Sequence, residues 1–123
     1  FNARWMKALK APMIGVFGNN CAETEELKNV YSGVGADLRG YFAEVEEGGL
    51  KIALTHGHIK SEMDRAMSGE YDVVVRGHSH RASVREENGI LVVNPGEVCG
   101  YLTGRSSVAF LNTEKRFAWI SEL

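Results

Sequence analysis

Val73-Val74-Val75-Arg76-Gly77-His78-Ser79-His80 is a short β-branched run that breaks at a glycine into two histidines one residue apart. β-Branched side chains favour a pleated strand, so the stretch reads as a strand followed by a polar turn. Residues i and i+2 of extended backbone lie on the same face, which lets His78 and His80 reach one site together. Imidazole is the commonest metal ligand among side chains and a frequent general base. The other two of the four histidines, His56 and His58, stand in Leu54-Thr55-His56-Gly57-His58, again at the end of an apolar run. Every histidine therefore falls in a His-x-His pair, which random placement rarely produces.

Working outward, the chain alternates elements. Trp5, Met6 and Leu9 recur at helical spacing until Pro12 ends the pattern. Met13 to Phe17 reads as a buried strand running into the turn Gly18-Asn19-Asn20-Cys21. Glu23 to Tyr31 reads as a helix with acidic residues in its first turn, where the helix dipole favours them. Tyr41 to Glu46 and Leu50 to Leu54 form a hairpin across Glu47-Gly48-Gly49. A helix from Lys60 to Ser68 stops at Gly69, and the strand Tyr71 to Arg76 follows. Ala82 to Glu87 and Ile90 to Val93 pair across Asn88-Gly89, the strongest short hairpin signal. Ser107 to Leu111 and Arg116 to Ile120 form a last hairpin. Helices and strands mixed first, then strands alone, predict an α/β fold of two packed sheets.

Composition bounds the function. A chain of 123 residues is one domain by size, long enough to bury roughly two-thirds of its unfolded surface. A net charge of −2 gives no polybasic footprint for nucleic acid or an anionic membrane. No apolar run approaches the roughly 20 residues of a membrane helix, and no secretory signal is present. The two cysteines, Cys21 and Cys99, make no disulfide framework, so the cytoplasm is the default location. The chain opens Phe1-Asn2-Ala3-Arg4-Trp5 with no initiator Met.

Three apolar strands end in glycine-containing polar turns, at Gly18-Asn19, at His56-Gly57-His58 and at Gly77-His78-Ser79-His80. Ligands of open α/β sheets bind outside the carboxyl ends of the strands. Three such turns would converge on one rim. An amide oxygen and several imidazoles suit a borderline divalent ion such as Mn, Zn, Fe, Co or Ni. Blander readings compete at single residues. Gly-Asn-Asn and Asn94-Pro95-Gly96 are turn sequences before they are sites, Cys99 reads as a small buried residue, and Glu23, Glu25 and Glu26 read as helix-start charge.

Gly18-Asn19-Asn20, Thr55-His56-Gly57-His58, Gly77-His78-Ser79-His80 and Asn94-Pro95-Gly96-Glu97 follow one another in the order of a known family. The sequence resembles the calcineurin-like metallophosphoesterases, particularly the small bacterial and archaeal phosphodiesterases, from Gly18 to Leu123. Asn94 to Gly104 looks especially like archaeal members. The resemblance implies two packed mixed β-sheets flanked by helices, with a dinuclear metal site at the strand ends. Carried over by position, Asn19, His56 and His78 would bind one metal and His80 the other. Asn20 and His58 would line the phosphate pocket, and the Asn-Pro-Gly turn would support the His78 loop. The implied reaction is hydrolysis of a small phosphodiester by a hydroxide activated between two divalent ions, Mn2+ first and Ni2+, Zn2+, Fe2+ or Co2+ as alternatives. Many relatives place a leaving-group acid where this chain has Asn20, and His58 is the substitute.

The chain departs from that pattern at its start. The family opens with Asp-x-His on its first strand and Gly-Asp on its second, and this chain has neither. The expectation is a single metallophosphoesterase-like domain over 1–123 that represents the C-terminal portion of a longer one, without its first strands. Two further readings stay open. One is an inactive scaffold of the same fold that binds a protein partner. The other is a mononuclear metal binder without turnover. A homodimer through the Trp5 helix or a sheet edge is compatible with the sequence and not required by it.

Overall fold

The β-branched run ending at Arg76 is the middle strand of a five-stranded sheet. The structure is a computed structural model, described here for residues 13–16, 36–79, 81–96 and 104–123. In chain order its elements are β1 (Met13–Gly15), β2 (Ala36–Leu38), β3 (Phe42–Glu47), β4 (Leu50–Thr55), α1 (Lys60–Ala66) and β5 (Val73–Arg76). The hairpins β6 (Ser83–Glu87) with β7 (Ile90–Asn94) and β8 (Ser107–Asn112) with β9 (Phe117–Glu122) complete them. The large sheet has the order β3-β4-β5-β7-β6. β4, β5 and β7 are parallel, and β3 and β6 close the edges antiparallel.

The period of two sorts the central side chains onto two faces. Ala53, Val74, Ile90 and Val92 pack with Ala66 of α1 and with Tyr71. Ile52, Val73, Leu91 and Val93 pack with Ala118 of β9, and with Ala109 and Leu111 of β8. The order is thus helix, five-stranded sheet, then the β8–β9 sheet. Val73 and Val74 are fully buried, one on each face. Burial on both faces is why the run is continuously apolar rather than alternating.

The expected α/β architecture of a mixed sheet packed against a second sheet is present, with these refinements among the described residues. β5 begins at Val73, not Tyr71, because Asp72 is spent on a lead-in. Its N–H donates to Lys51 O (2.8 Å) and its Oδ2 accepts from Lys51 N–H (2.9 Å). α1 ends at Ala66, where Met67 leaves helical geometry and Ser68 Oγ donates to Arg65 O. The last strand begins at Phe117, because Arg116 takes φ 50° in the turn. Asn88 and Gly89, at φ 54° and 79°, form the expected hairpin turn. The three-residue β2, parallel to β1, carries no periodicity to read and was not expected. The helices read at Phe1 to Lys10 and Glu23 to Tyr31 lie outside the described residues.

Candidate metal centre

β4 and β5 are adjacent and parallel, with Thr55 opposite Arg76, so their polar turns leave the same edge of the sheet. Gly77 N–H donates to His56 O at 3.0 Å and extends the pairing one step beyond the strands. At that rim three imidazoles gather. Ring centroids are 5.2 Å apart for His56 and His58, 5.3 Å for His56 and His78, and 6.3 Å for His58 and His78. The ring of Tyr41 stands edge-on to His58 at 5.8 Å.

Metal–nitrogen bonds of about 2.0–2.1 Å put the ring centres of two imidazoles on one ion roughly 5 Å apart. The two His56 pairs are close to that spacing. No group of three His, Cys, Asp or Glu among the described residues is nevertheless arranged to hold an ion. The rings are assembled, and their nitrogens do not converge as a closed ligand set. Nitrogen donors of this kind fit a borderline divalent ion. His58 Nδ1 is buried and makes no hydrogen bond, an unsatisfied polar atom of the sort that concentrates at functional positions.

The two turns are built differently. Gly57 takes φ 103°, which lets the chain reverse between His56 and His58 before α1 begins. In the second turn the left-handed residue is His78 itself, at φ 74°. Ser79 N–H donates to Gly77 O at 3.0 Å across it. This is a three-residue γ-turn with a left-handed centre, a rare and strained geometry for a residue with a side chain. Asn94, buried at 3% exposure at the end of β7, fastens it. Its Nδ2 donates to Ser79 Oγ at 2.9 Å and reaches Gly77 O at 3.5 Å, while its Oδ1 accepts from Gly96 N–H at 3.0 Å. Ser107 Oγ donates to Pro95 O at 2.8 Å and ties the Asn94-Pro95-Gly96 segment to β8.

Of the residues singled out from sequence, the structure brings His56, His58 and His78 together. Asn19, Asn20 and His80 lie outside the described residues. Arg76, which the sequence presents only as the last residue of a strand, also stands at this rim with its guanidinium against Gly57. The signal was there, since it is the one charge inserted between the apolar run and Gly77-His78.

A family model for the calcineurin-like phosphoesterase superfamily domain matches residues 1–116. A curated phosphodiesterase of Methanocaldococcus jannaschii is 42% identical over 110 residues, which is 88% of this chain and 66% of that protein. The chain thus spans a little under two-thirds of that relative. A solved structure of an archaeal phosphodiesterase superposes with a TM-score of 0.86 at 38% identity, covering 98% of this chain and 74% of that one. Vacuolar protein sorting 29 from Cryptosporidium parvum shares the fold, with a TM-score of 0.55 at 20% identity over 99% of this chain and 86% of that one.

Proposed function

Since the chain belongs to the calcineurin-like phosphoesterase superfamily, we propose that it serves the metal-dependent hydrolysis of a small phosphodiester at the rim formed by His56, His58 and His78. The observation that carries this reading is the meeting of those rings, 5.2–6.3 Å apart, at the carboxyl ends of two adjacent parallel strands. The relatives described as phosphodiesterases support it in the same direction.

In this reading His56 and His78 are metal ligands, joined by Asn19 and His80. Mn2+ is the first ion to try, with Ni2+, Zn2+, Fe2+ and Co2+ as alternatives. A divalent ion held there supplies Lewis acidity toward phosphoryl oxygens and lowers the pKa of a bound water. The protein's own contribution is orientation and proton delivery. The γ-turn aims His78 at the rim while its Asn94 clamp resists relaxation. His58, whose ring lies edge-on to Tyr41, hands a proton to the departing oxygen, a role imidazole fills more often than any other side chain. Asn20 donates to a phosphoryl oxygen and cannot replace His58 as the acid.

The experiment is hydrolysis of a chromogenic phosphodiester with Mn2+, repeated after chelation, alongside His78→Ala and His58→Ala. His78→Ala is expected to lose metal and to lower turnover by about a hundredfold or more. His58→Ala is expected to keep its metal and to lose most on substrates with poor leaving groups. Turnover indifferent to chelation, or a His78→Ala protein as active as the wild type, would overturn the proposal.

A further inference from the structure

Arg76 is a cation at this rim that nothing so far explains. Its Nε is buried and makes no hydrogen bond. Arg39, Arg65, Arg85, Arg105 and Arg116 each pair with a carboxylate. Among the described residues none pairs with Arg76. A guanidinium kept partly from water without a counter-charge is unfavourable unless an anion completes it.

Its position names the anion. Arg76 is the last residue of β5 and directly precedes Gly77-His78. Its guanidinium lies against Gly57, the residue between His56 and His58. A Cβ built on Gly57 would stand 3.0 Å from Arg76 Nη2 and 3.1 Å from Nε. Gly57 therefore serves twice, for its φ of 103° and for the space that admits the guanidinium. Arginine's planar fork matches the paired oxygens of phosphate, and the match is bidentate where a lysine offers only a point charge.

We propose that Arg76 is the phosphate receptor of this rim: its guanidinium binds non-bridging oxygens of the phosphoryl group beside the imidazoles, in substrate and in released product. This rests on the phosphodiester reading above, and it supplies a recognition element that does not depend on the imidazoles. The step is binding alone, with no bond made or broken.

The test is calorimetric titration of inorganic phosphate into the metal-loaded protein, with bound metal measured by emission spectroscopy in each sample. Arg76→Gln is expected to weaken phosphate binding by about tenfold or more with metal content unchanged. Arg76→Lys is expected to fall between the two, since charge remains and the fork is lost. It also carries the test if Arg76→Gln does not fold. Wild-type phosphate affinity in Arg76→Gln, or in Arg76→Lys should that be the variant available, overturns the proposal. So does the pattern of a structural ion pair with Glu62, whose Oε2 is buried and likewise unbonded. Arg76→Gln and Glu62→Gln would then lower Tm alike and leave phosphate affinity unmoved. The readout needs no turnover. A wild-type protein that binds phosphate through Arg76 and hydrolyses nothing would overturn the phosphodiesterase reading and leave this one standing.

Discussion

The two ends of the same parallel strands are finished in opposite ways. Where β4 and β5 begin, polar groups are matched. Lys51 and Asp72 exchange backbone and side-chain hydrogen bonds. Tyr71 donates to Glu44, which also accepts from Arg65. Arg116 spans Glu86 at 2.8 Å and Gly89 O at 2.6 Å. Where the strands end, His58 Nδ1 and Arg76 Nε are buried and unbonded, and His78 sits in a left-handed turn. One end is built to hold the sheet together, and the other carries backbone strain and buried polar atoms without a hydrogen-bond partner. The fold tolerates the second because the first is so well satisfied.

The sharpest way to break this contrast is Asn94→Ala, which removes the fastening of the strained end. Asn94 is buried, and its loss leaves Ser79 Oγ, Gly77 O and Gly96 N–H short of a partner. Unfolding in urea should show a loss of about 1–3 kcal/mol. Metal affinity, followed by calorimetry, should fall by about 10- to 100-fold, because the turn that aims His78 is no longer fastened. A variant that loses stability and keeps its metal affinity would mean that the His78 turn holds its shape without the clamp. Asn94 would then belong with the structural end of the molecule.

A smaller and opposite effect is expected from His78→Gly. At φ 74° the side chain is a burden to the backbone, and glycine relieves it. Stability should rise by up to about 1 kcal/mol while the metal is lost. That is the signature of a residue retained for chemistry at the expense of the fold. His56→Gly is the control, since the left-handed residue of its turn is Gly57 and no strain is released. A loss of stability in His78→Gly would mean that the turn is not strained and that the two strand ends differ less than they look.

How much of this the sequence disclosed follows from which signals are local. Val73 to Val75 announce a buried strand by composition, and Asn88-Gly89 a hairpin by turn chemistry, because each depends on its own residues. The gathering of His56 and His78 was legible for a different reason. Both stand just past apolar runs, and adjacent parallel strands finish at one edge. The pairing of β1 with β2 was not legible, because Ala36-Asp37-Leu38 is too short to show a period and its pairing is long-range. The strain at His78 was hidden too, since nothing in Gly77-His78-Ser79 says that the histidine rather than the glycine takes the left-handed angle. The place of Arg76 depended on Gly57, nineteen positions earlier and in the turn after the neighbouring strand, and the register that brings them together is a product of the folded sheet.

The smallest effect belongs to the satisfied end. Tyr71→Phe removes the hydroxyl that donates to Glu44 and leaves the buried ring against Phe42 at 5.7 Å. At neutral pH a fall in Tm of about 2–4 °C is expected, with metal affinity unchanged. The pH dependence is more specific. The hydrogen bond from Tyr71, chiefly, holds the Glu44 carboxyl below its ordinary 4.5, with Arg65 and Lys51 assisting. Its stabilisation is therefore in place above pH 4.5 and is lost as pH falls through the depressed value. Burial, then the Glu44 carboxylate, pushes the Tyr71 hydroxyl above its ordinary 10.0. That contribution is complete below pH 10.0 and is lost as pH rises through the elevated value. Urea midpoints of wild type and Tyr71→Phe should thus differ through the neutral range and converge at both extremes. A constant offset from acid to alkali would show that the phenol and the carboxylate are not joined, and would remove one of the contacts that make this end of the strands the quiet one.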